Sequence, residues 1–272
     1  MITYRLFDLD FEGDDKQFDL YSRTGAGMMG LKDMMENAYG GRIRHRRLES
    51  GRGDGVISLE DLADRLPDHP EKREIAELVS DDVIPRLLSS RPHGKRESVI
   101  LGYITSIAAE RSKQPVTVHP MDFAGLELSR GTLILSSNGK SRPSHVGERM
   151  SSGIIKMCDA GDYLGQGMTG GGIVASSCGT YAFRNMSGGW GVILGDAGSF
   201  IGVNNSGGKI LVKGNAGERV GWLMRSGRIT VLGDVGDYAG ILAKGGLIRI
   251  RGGAGENAGW RAGGVRIEIG RR

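Results

Sequence analysis

From Val118 onward the apolar positions fall into columns. Gly214-Asn215-Ala216-Gly217, Gly221, Gly227, Ile229 and Val231 set a cadence that the neighbouring stretches repeat. Gly233-Asp234-Val235-Gly236 with Gly240, Gly246, Ile248 and Ile250 follows it, and Gly195-Asp196-Ala197-Gly198 with Gly202, Gly208, Ile210 and Val212 precedes it. Eight such units start near Val118, Lys140, Cys158, Ser176, Gly195, Gly214, Gly233 and Gly252. Their spacing is 18 or 19 residues after an insertion of about three residues between the first two, which is the signature of a stacked repeat fold.

Within each unit the side chains alternate after a Gly-Gly or Ser-Gly pair. A first inward column is predicted at Leu133, Ile155, Ile173, Gly191, Ile210, Ile229, Ile248 and Ile267. A second is predicted at Leu135, Met157, Ala175, Ile193, Val212, Val231, Ile250 and Ile269. Period-2 alternation repeated at one register means parallel strands stacked like on like, about 4.8 Å apart. The fold class is mainly β, a parallel β-helix of about eight coils over 118–270, preceded by a small α+β domain over 1–117.

Before the repeats the pattern changes. Ile2 to Phe11 alternates and reads as a strand, Phe18 to Tyr21 as a second, and Met28 to Ala38 as a helix. Ser58-Leu-Glu-Asp61 reads as a helix start with acidic residues in the first turn. Glu71 to Ser89 has helical spacing that Pro85 should kink or split. Val99-Ile-Leu-Gly-Tyr-Ile104 is either a strand or a buried helix segment, and Gln114-Pro115 marks the boundary with the repeats.

Glycine is abundant, with 47 residues, of which 36 lie in 118–272. One column, Gly125, Gly147, Gly165, Gly202, Gly221, Gly240 and Gly259, marks corners that need positive φ. Phe183 breaks it in the fourth coil, where a partner contact is expected. Met150, Met168, Met186, Asn205 and Met224 form a column read as core filler. Asp159, Asp196, Asn215 and Asp234 also align, as acceptors for turn amides, because one carboxylate per coil makes a poor metal site.

Charge divides the chain. Residues 1–117 hold 18 Lys and Arg against 21 Asp and Glu, a net −3; residues 118–272 hold 18 against 11, a net +7. The basic half suggests an acidic partner surface or an acidic ligand. Nucleic acid is set aside, because no aromatics are interleaved with the spread basic residues. No apolar run reaches a membrane span and the N-terminus has no signal pattern, so no membrane is expected. Two cysteines, Cys158 and Cys178, point to a reducing cytoplasm and read as small buried residues, not a redox pair.

Candidate chemistry is sparse. Gly25-Ala-Gly27-Met-Met-Gly30 fits a dinucleotide fingerprint, with Glu49 roughly where a ribose-binding acid belongs. Its preceding strand is not the apolar run of a buried parallel strand, so a glycine-rich turn into a helix is the simpler reading. His45, His69 and His93 sit in polar or Pro-rich loops without ligand spacing, and the repeats hold only His119 and His145. No nucleophile set and no phosphate loop is visible. Catalytic, cofactor-binding and metal residues are therefore expected to be absent. The apolar corner of Trp222, Ile241 and Trp260 is the expected partner surface if it faces outward; otherwise its indoles fold over neighbouring corners or onto 1–117.

These repeats resemble a known family. Units of the type G-[DN]-A-G-x-x-x-G-x-x-M-x-G-G-x-I-x-V are similar to the GXGXG repeat domain. That domain is found in the C subunit of formylmethanofuran dehydrogenase, in the related formyltransferase/hydrolase complex, and at the C-terminus of the glutamate synthase large subunit. Phe123-Ala-Gly125, Gly167-Met-Thr-Gly-Gly171 and Asn185-Met-Ser-Gly-Gly189 strengthen the likeness to the formylmethanofuran enzyme. The resemblance covers about 118–270 and implies a right-handed β-helix that is not catalytic. It implies a role in one-carbon metabolism, as in methanogenesis, beside partner subunits that carry metal, pterin or flavin cofactors. A glutamate-synthase-type accessory subunit and a free-standing nucleotide binder using 1–117 are the alternatives.

Overall fold

The structure is a computed structural model and describes residues 58–136, 139 and 141–270. All of them belong to one compact unit. The strands expected at Ile2–Phe11 and Phe18–Tyr21, the helix at Met28–Ala38 and the glycine motif at Gly25–Gly30 lie outside the described residues.

Among the described residues four helices come first: α1 Leu59–Arg65, α2 Lys72–Leu78, α3 Ile84–Leu88 and α4 Lys95–Arg111. α1 starts as its sequence demands. The Ser58 side chain accepts from Asp61 N at 3.0 Å, and the Asp61 carboxylate accepts in return from Ser58 N at 3.0 Å. Those hydrogen bonds from Ser58 hold the Asp61 carboxyl below its ordinary range. The segment expected to kink at Pro85 is split into α2 and α3, and Pro85 sits in the first turn of α3, where its missing N–H costs nothing. The ambiguous run at Val99–Ile104 is helical. It lies inside α4, whose residues Ile100 through Ala109 are all buried, and a helix enclosed on all sides shows no amphipathic period.

Nine strands follow among the described residues: β1 Val116–Val118, β2 Thr132–Leu135, β3 Ile154–Asp159, β4 Gly172–Ser177, β5 Trp190–Ile193, β6 Ser206–Val212, β7 Ser226–Val231, β8 Leu247–Ile250 and β9 Arg266–Ile269. They form one parallel sheet in sequence order. Each strand returns beside its predecessor without an intervening helix, which makes the chain a parallel β-solenoid of about eight turns. No described helix is long and apolar enough to cross a membrane.

The register matches the columns read from the sequence. Leu133 pairs with Ile155, Ile155 with Ile173, Ile173 with Gly191, and the line continues through Ile210, Ile229 and Ile248 to Ile267. Met150, Met168, Met186 and Met224 are fully buried, as core filler should be. Asn205, in the same column, is also fully buried. It accepts from Gly207 N and Gly208 N and donates to Gly208 O, which meets the hydrogen-bonding need of a polar group in the core. One hydrophobic core runs without a break from Leu59 in α1 to Ile250 in β8. The change from helices to strands near residue 117 is therefore no break in the packing.

α4 covers the first coil and completes its hydrogen bonds. In the second coil, Gly147 N donates to Ala124 O (2.8 Å) and Ser151 N to Leu128 O (2.9 Å), both in the coil before. Before the first coil the described residues supply only the short strand β1, paired with β2, and the corner is met by the helix instead. There Gly125 N donates to Thr105 Oγ1 at 2.8 Å and Ser129 N to Glu110 Oε1 at 2.8 Å. Ser106 Oγ adds a bond to Leu126 O at 2.7 Å. Glu110 is held in place by Lys72 Nζ at 2.9 Å. Helix side chains thus take the part of a preceding coil at this corner and satisfy its backbone groups.

Candidate partner-docking surface

The corners position the expected contact residues. Each coil has three alternating residues in the left-handed region: Phe200, Gly202 and Asn204 in one, Tyr238, Gly240 and Leu242 in another. Among the described residues, all 16 non-glycine residues with positive φ fall in these corner positions. Glycine carries the positive φ at the middle position in seven coils, Phe183 taking it in the fourth, whereas the outer positions are non-glycine apart from Gly167. A Cβ on Gly202 would lie 2.6 Å from Ile229 Cδ1 and 2.9 Å from Ile210 Cδ1, so the isoleucine ladder leaves no room there. The outer two positions point away from that ladder and tolerate side chains. Each costs about 1–2 kcal/mol of backbone strain.

Inter-coil contacts offset that cost. Amides at the outer positions donate to the following coil, as Phe200 N does to Glu218 O (2.8 Å) and Asn204 N to Trp222 O (2.7 Å). The middle amide donates backward, as Gly202 N does to Ala182 O (2.9 Å). The first position also stacks rings along the solenoid. Phe123 lies 4.7 Å from His145, His145 4.8 Å from Tyr163, Tyr163 5.3 Å from Tyr181, and Tyr181 4.6 Å from Phe200, with their planes nearly parallel. Arg219 continues the column between Phe200 (5.3 Å) and Tyr238 (5.5 Å). Each stacked pair contributes about 0.5–1.5 kcal/mol.

The apolar columns do not predict this ladder, although the sequence carries a signal for it. In five coils the residue two before the corner glycine is a ring: Phe123, His145, Tyr163, Phe200 and Tyr238. Aromatics therefore do line one column of the basic half, which corrects the expectation that none is interleaved there. Their faces are engaged with each other, so between Phe123 and Phe200 the ladder has no open face on which a base could stack. It stiffens the corner.

The aligned acids also have a structural task. Asp196 Oδ1 accepts from Asn215 N (2.7 Å), Asn215 Oδ1 from Asp234 N (2.8 Å), and Asp234 Oδ1 from Gly253 N (2.6 Å). Asp159 Oδ1 accepts from Ser177 Oγ at 2.6 Å. Among the described residues no group of three His, Cys, Asp or Glu side chains could hold a metal ion. A small cavity between Leu135, Met157 and Asp159 has room for about one water molecule.

Neither cysteine is in a disulfide, and Cys158 is half-buried and Cys178 buried. Burial pushes the Cys178 thiol up to about 12. At a pH of about 8 it is therefore protonated and unreactive. Native protein treated with iodoacetamide at that pH should leave Cys178 unmodified by peptide mass spectrometry, and urea should expose it. Rapid labelling of the folded chain at Cys178 would contradict this.

The four expected contact residues separate. Phe183 is fully buried and its side chain offers nothing to a partner. A Cβ on Gly191 would overlap Phe183 Cζ, and one on Gly165 would lie 2.8 Å from Phe183 Cδ1. The Phe183 ring thus fills the place that isoleucine takes in the neighbouring coils. The break in the cadence is a packing exchange: ring at the corner, glycine on the strand.

Trp222, Ile241 and Trp260 do share one corner position in successive coils, as expected. Leu223 N donates to Ile241 O and Leu242 N to Trp260 O, both at 3.1 Å. Trp222 and Ile241 are half-buried, whereas Trp260 is 43% exposed and Leu223 37%. Leu242 is half-buried beside them. The Arg261 guanidinium lies 4.4 Å over the Trp260 ring. Trp222 Nε1 is buried without an acceptor among the described residues, a cost of about 1–3 kcal/mol. One corner of the last three coils thus carries Trp222, Leu223, Ile241, Leu242 and Trp260 as an apolar strip, with Arg261 beside it.

No protein-family model matches the chain, and no curated protein matches it. The strip is the feature on which a functional reading rests.

Proposed function

We propose that this chain is a non-catalytic assembly subunit of a multisubunit enzyme complex, formylmethanofuran dehydrogenase-like, acting in one-carbon formyl transfer or oxidoreduction. The observation that carries the reading is the strip of Trp222, Leu223, Ile241, Leu242 and Trp260. Exposed Leu223 and Trp260 and half-buried Trp222, Ile241 and Leu242, with Arg261 over the Trp260 ring, have the composition of a protein–protein interface core. The GXGXG resemblance supplies the class of complex and a right-handed winding, the hand that parallel crossovers favour. The net +7 of residues 118–272 suits an acidic partner surface or a glutamate-rich carrier. In this reading the complex is cytoplasmic, and metal, pterin or flavin cofactors belong to its other subunits.

Trp222→Ala in a tagged chain tests the docking strip. Retention of partner subunits from the native cell should fall at least tenfold while the Tm stays within a few degrees of wild type. Equal loss of Tm and retention would make Trp222 a packing residue and remove the strip from the interface.

A further inference from the structure

The two ends of the solenoid are unlike. α4 closes the first coil, as described above. β1 and β9 are the two edge strands of the sheet; α4 packs against β1, and at the other end β9 has β8 beside it. Ile248 and Ile250 are buried at 0% and 1%, yet Ile269 in the same inward column as Ile250 is 44% exposed. Val265 and Ile267 are only half-buried. The last rung of the core is therefore open.

The backbone of that rung has a definite polarity. Arg266 N donates to Gly246 O (2.9 Å) and Gly270 N to Ile250 O (2.8 Å), so the amides of the even-numbered residues face β8. The N–H and C=O groups of Val265, Ile267 and Ile269 then face outward along the stack. The stretch Val265-Arg266-Ile267-Glu268-Ile269 is self-complementary about its centre. We propose that this end pairs with a second copy of the chain, β9 against β9, antiparallel and centred on Ile267.

Every position fits that register. Ile267 opposes the partner's Ile267, and Val265 opposes the partner's Ile269. These outward-facing residues are the ones that exchange two hydrogen bonds per pair in an antiparallel ladder. Their side chains share the inner face, so the two apolar cores run together. Arg266 opposes the partner's Glu268 at the intervening position, where Cα atoms approach to about 4.5 Å and side chains are closest. Arg266 now pairs with Glu268 of its own strand, which also holds Arg249. The Arg266 side chain is 78% exposed, so redirecting it across the interface costs little. α4 packs against β1 and β2 at the opposite end, which disfavours head-to-tail stacking there. The self-complementary register of β9 closes as a two-fold dimer.

This inference stands apart from the proposed enzyme complex and is tested on the purified full chain alone. Sedimentation velocity should show a dimer at micromolar concentration. Arg266→Glu places like charges at two symmetric positions and should weaken dimerisation at least tenfold, as should Glu268→Arg. Mixed in equal amounts, the two variants restore Arg–Glu pairing across the interface and should form a heterodimer. Circular dichroism of each variant checks that it folds. Trp222→Ala should leave the dimer intact, so failure here and failure of the docking strip are distinguishable. A monomeric wild type over that range, variants that dimerise like wild type, or a mixture that stays monomeric would each overturn the pairing.

Discussion

Phe183→Gly should destabilise the chain by about 2–4 kcal/mol, and Gly191→Ile added to it should recover most of that loss. The expected loss combines the cost of emptying a buried aromatic site with the relief of a non-glycine residue at φ 58°. The recovery follows from the coil-to-coil repeat. In the fifth coil a glycine at the corner is covered by Ile210 and Ile229, and the double variant rebuilds that arrangement in the fourth. Gly191→Ile alone should be the worst of the three, because its side chain would enter the Phe183 ring. Urea unfolding of the two single variants and the double variant measures the coupling. Additive losses, with the double variant less stable than Phe183→Gly, would show that the two positions do not share one space.

Gly131→Val should cost about 3 kcal/mol or more by detaching the helical cap. Gly131 has φ +86°, and a Cβ there would collide with Ala109 O in α4. The backbone oxygen cannot step aside, so a β-branched residue meets both a forbidden backbone region and the helix. Opening the cap would expose the amides of Gly125 and Ser129 that Thr105 and Glu110 now satisfy. Hydrogen exchange should accelerate at those two amides before the later coils respond, and the variant should associate through its uncovered edge. Gly263, where an added Cβ would meet nothing within 4 Å, is the control: Gly263→Val should leave stability nearly unchanged. Slow exchange at Gly125 in the Gly131→Val variant would place the closure of the edge elsewhere.

The solenoid was legible because in-register parallel stacking sets like residues above like. One aligned coil predicted the next, and the isoleucine columns followed without any knowledge of three dimensions. The Met column and the Asp–Asn amide ladder were legible for the same reason. α4 was ambiguous because a helix buried on every side loses its period. Its polar members Thr105 and Ser106 gain meaning only when the coil edge they satisfy is seen. The exchange between Phe183 and Gly191 was visible as two separate anomalies in two columns. Only the coil geometry places a corner residue over a strand residue eight positions later. The ring ladder was hidden by its mixed composition, since Phe, His, Tyr and Arg at positive φ run against residue preference. Of the docking surface, Trp222, Ile241 and Trp260 came from the repeat alignment, whereas Leu223 and the open last rung needed exposure to be known.

The most direct test is the native mass of the tagged chain purified gently from its own cell, with its companions identified by mass spectrometry. A stable heteromeric complex is predicted, containing subunits that carry the redox or formyl-transfer chemistry, with Trp222→Ala reducing their recovery. A chain that emerges without other subunits, as monomer or homodimer, would contradict its role as an assembly subunit.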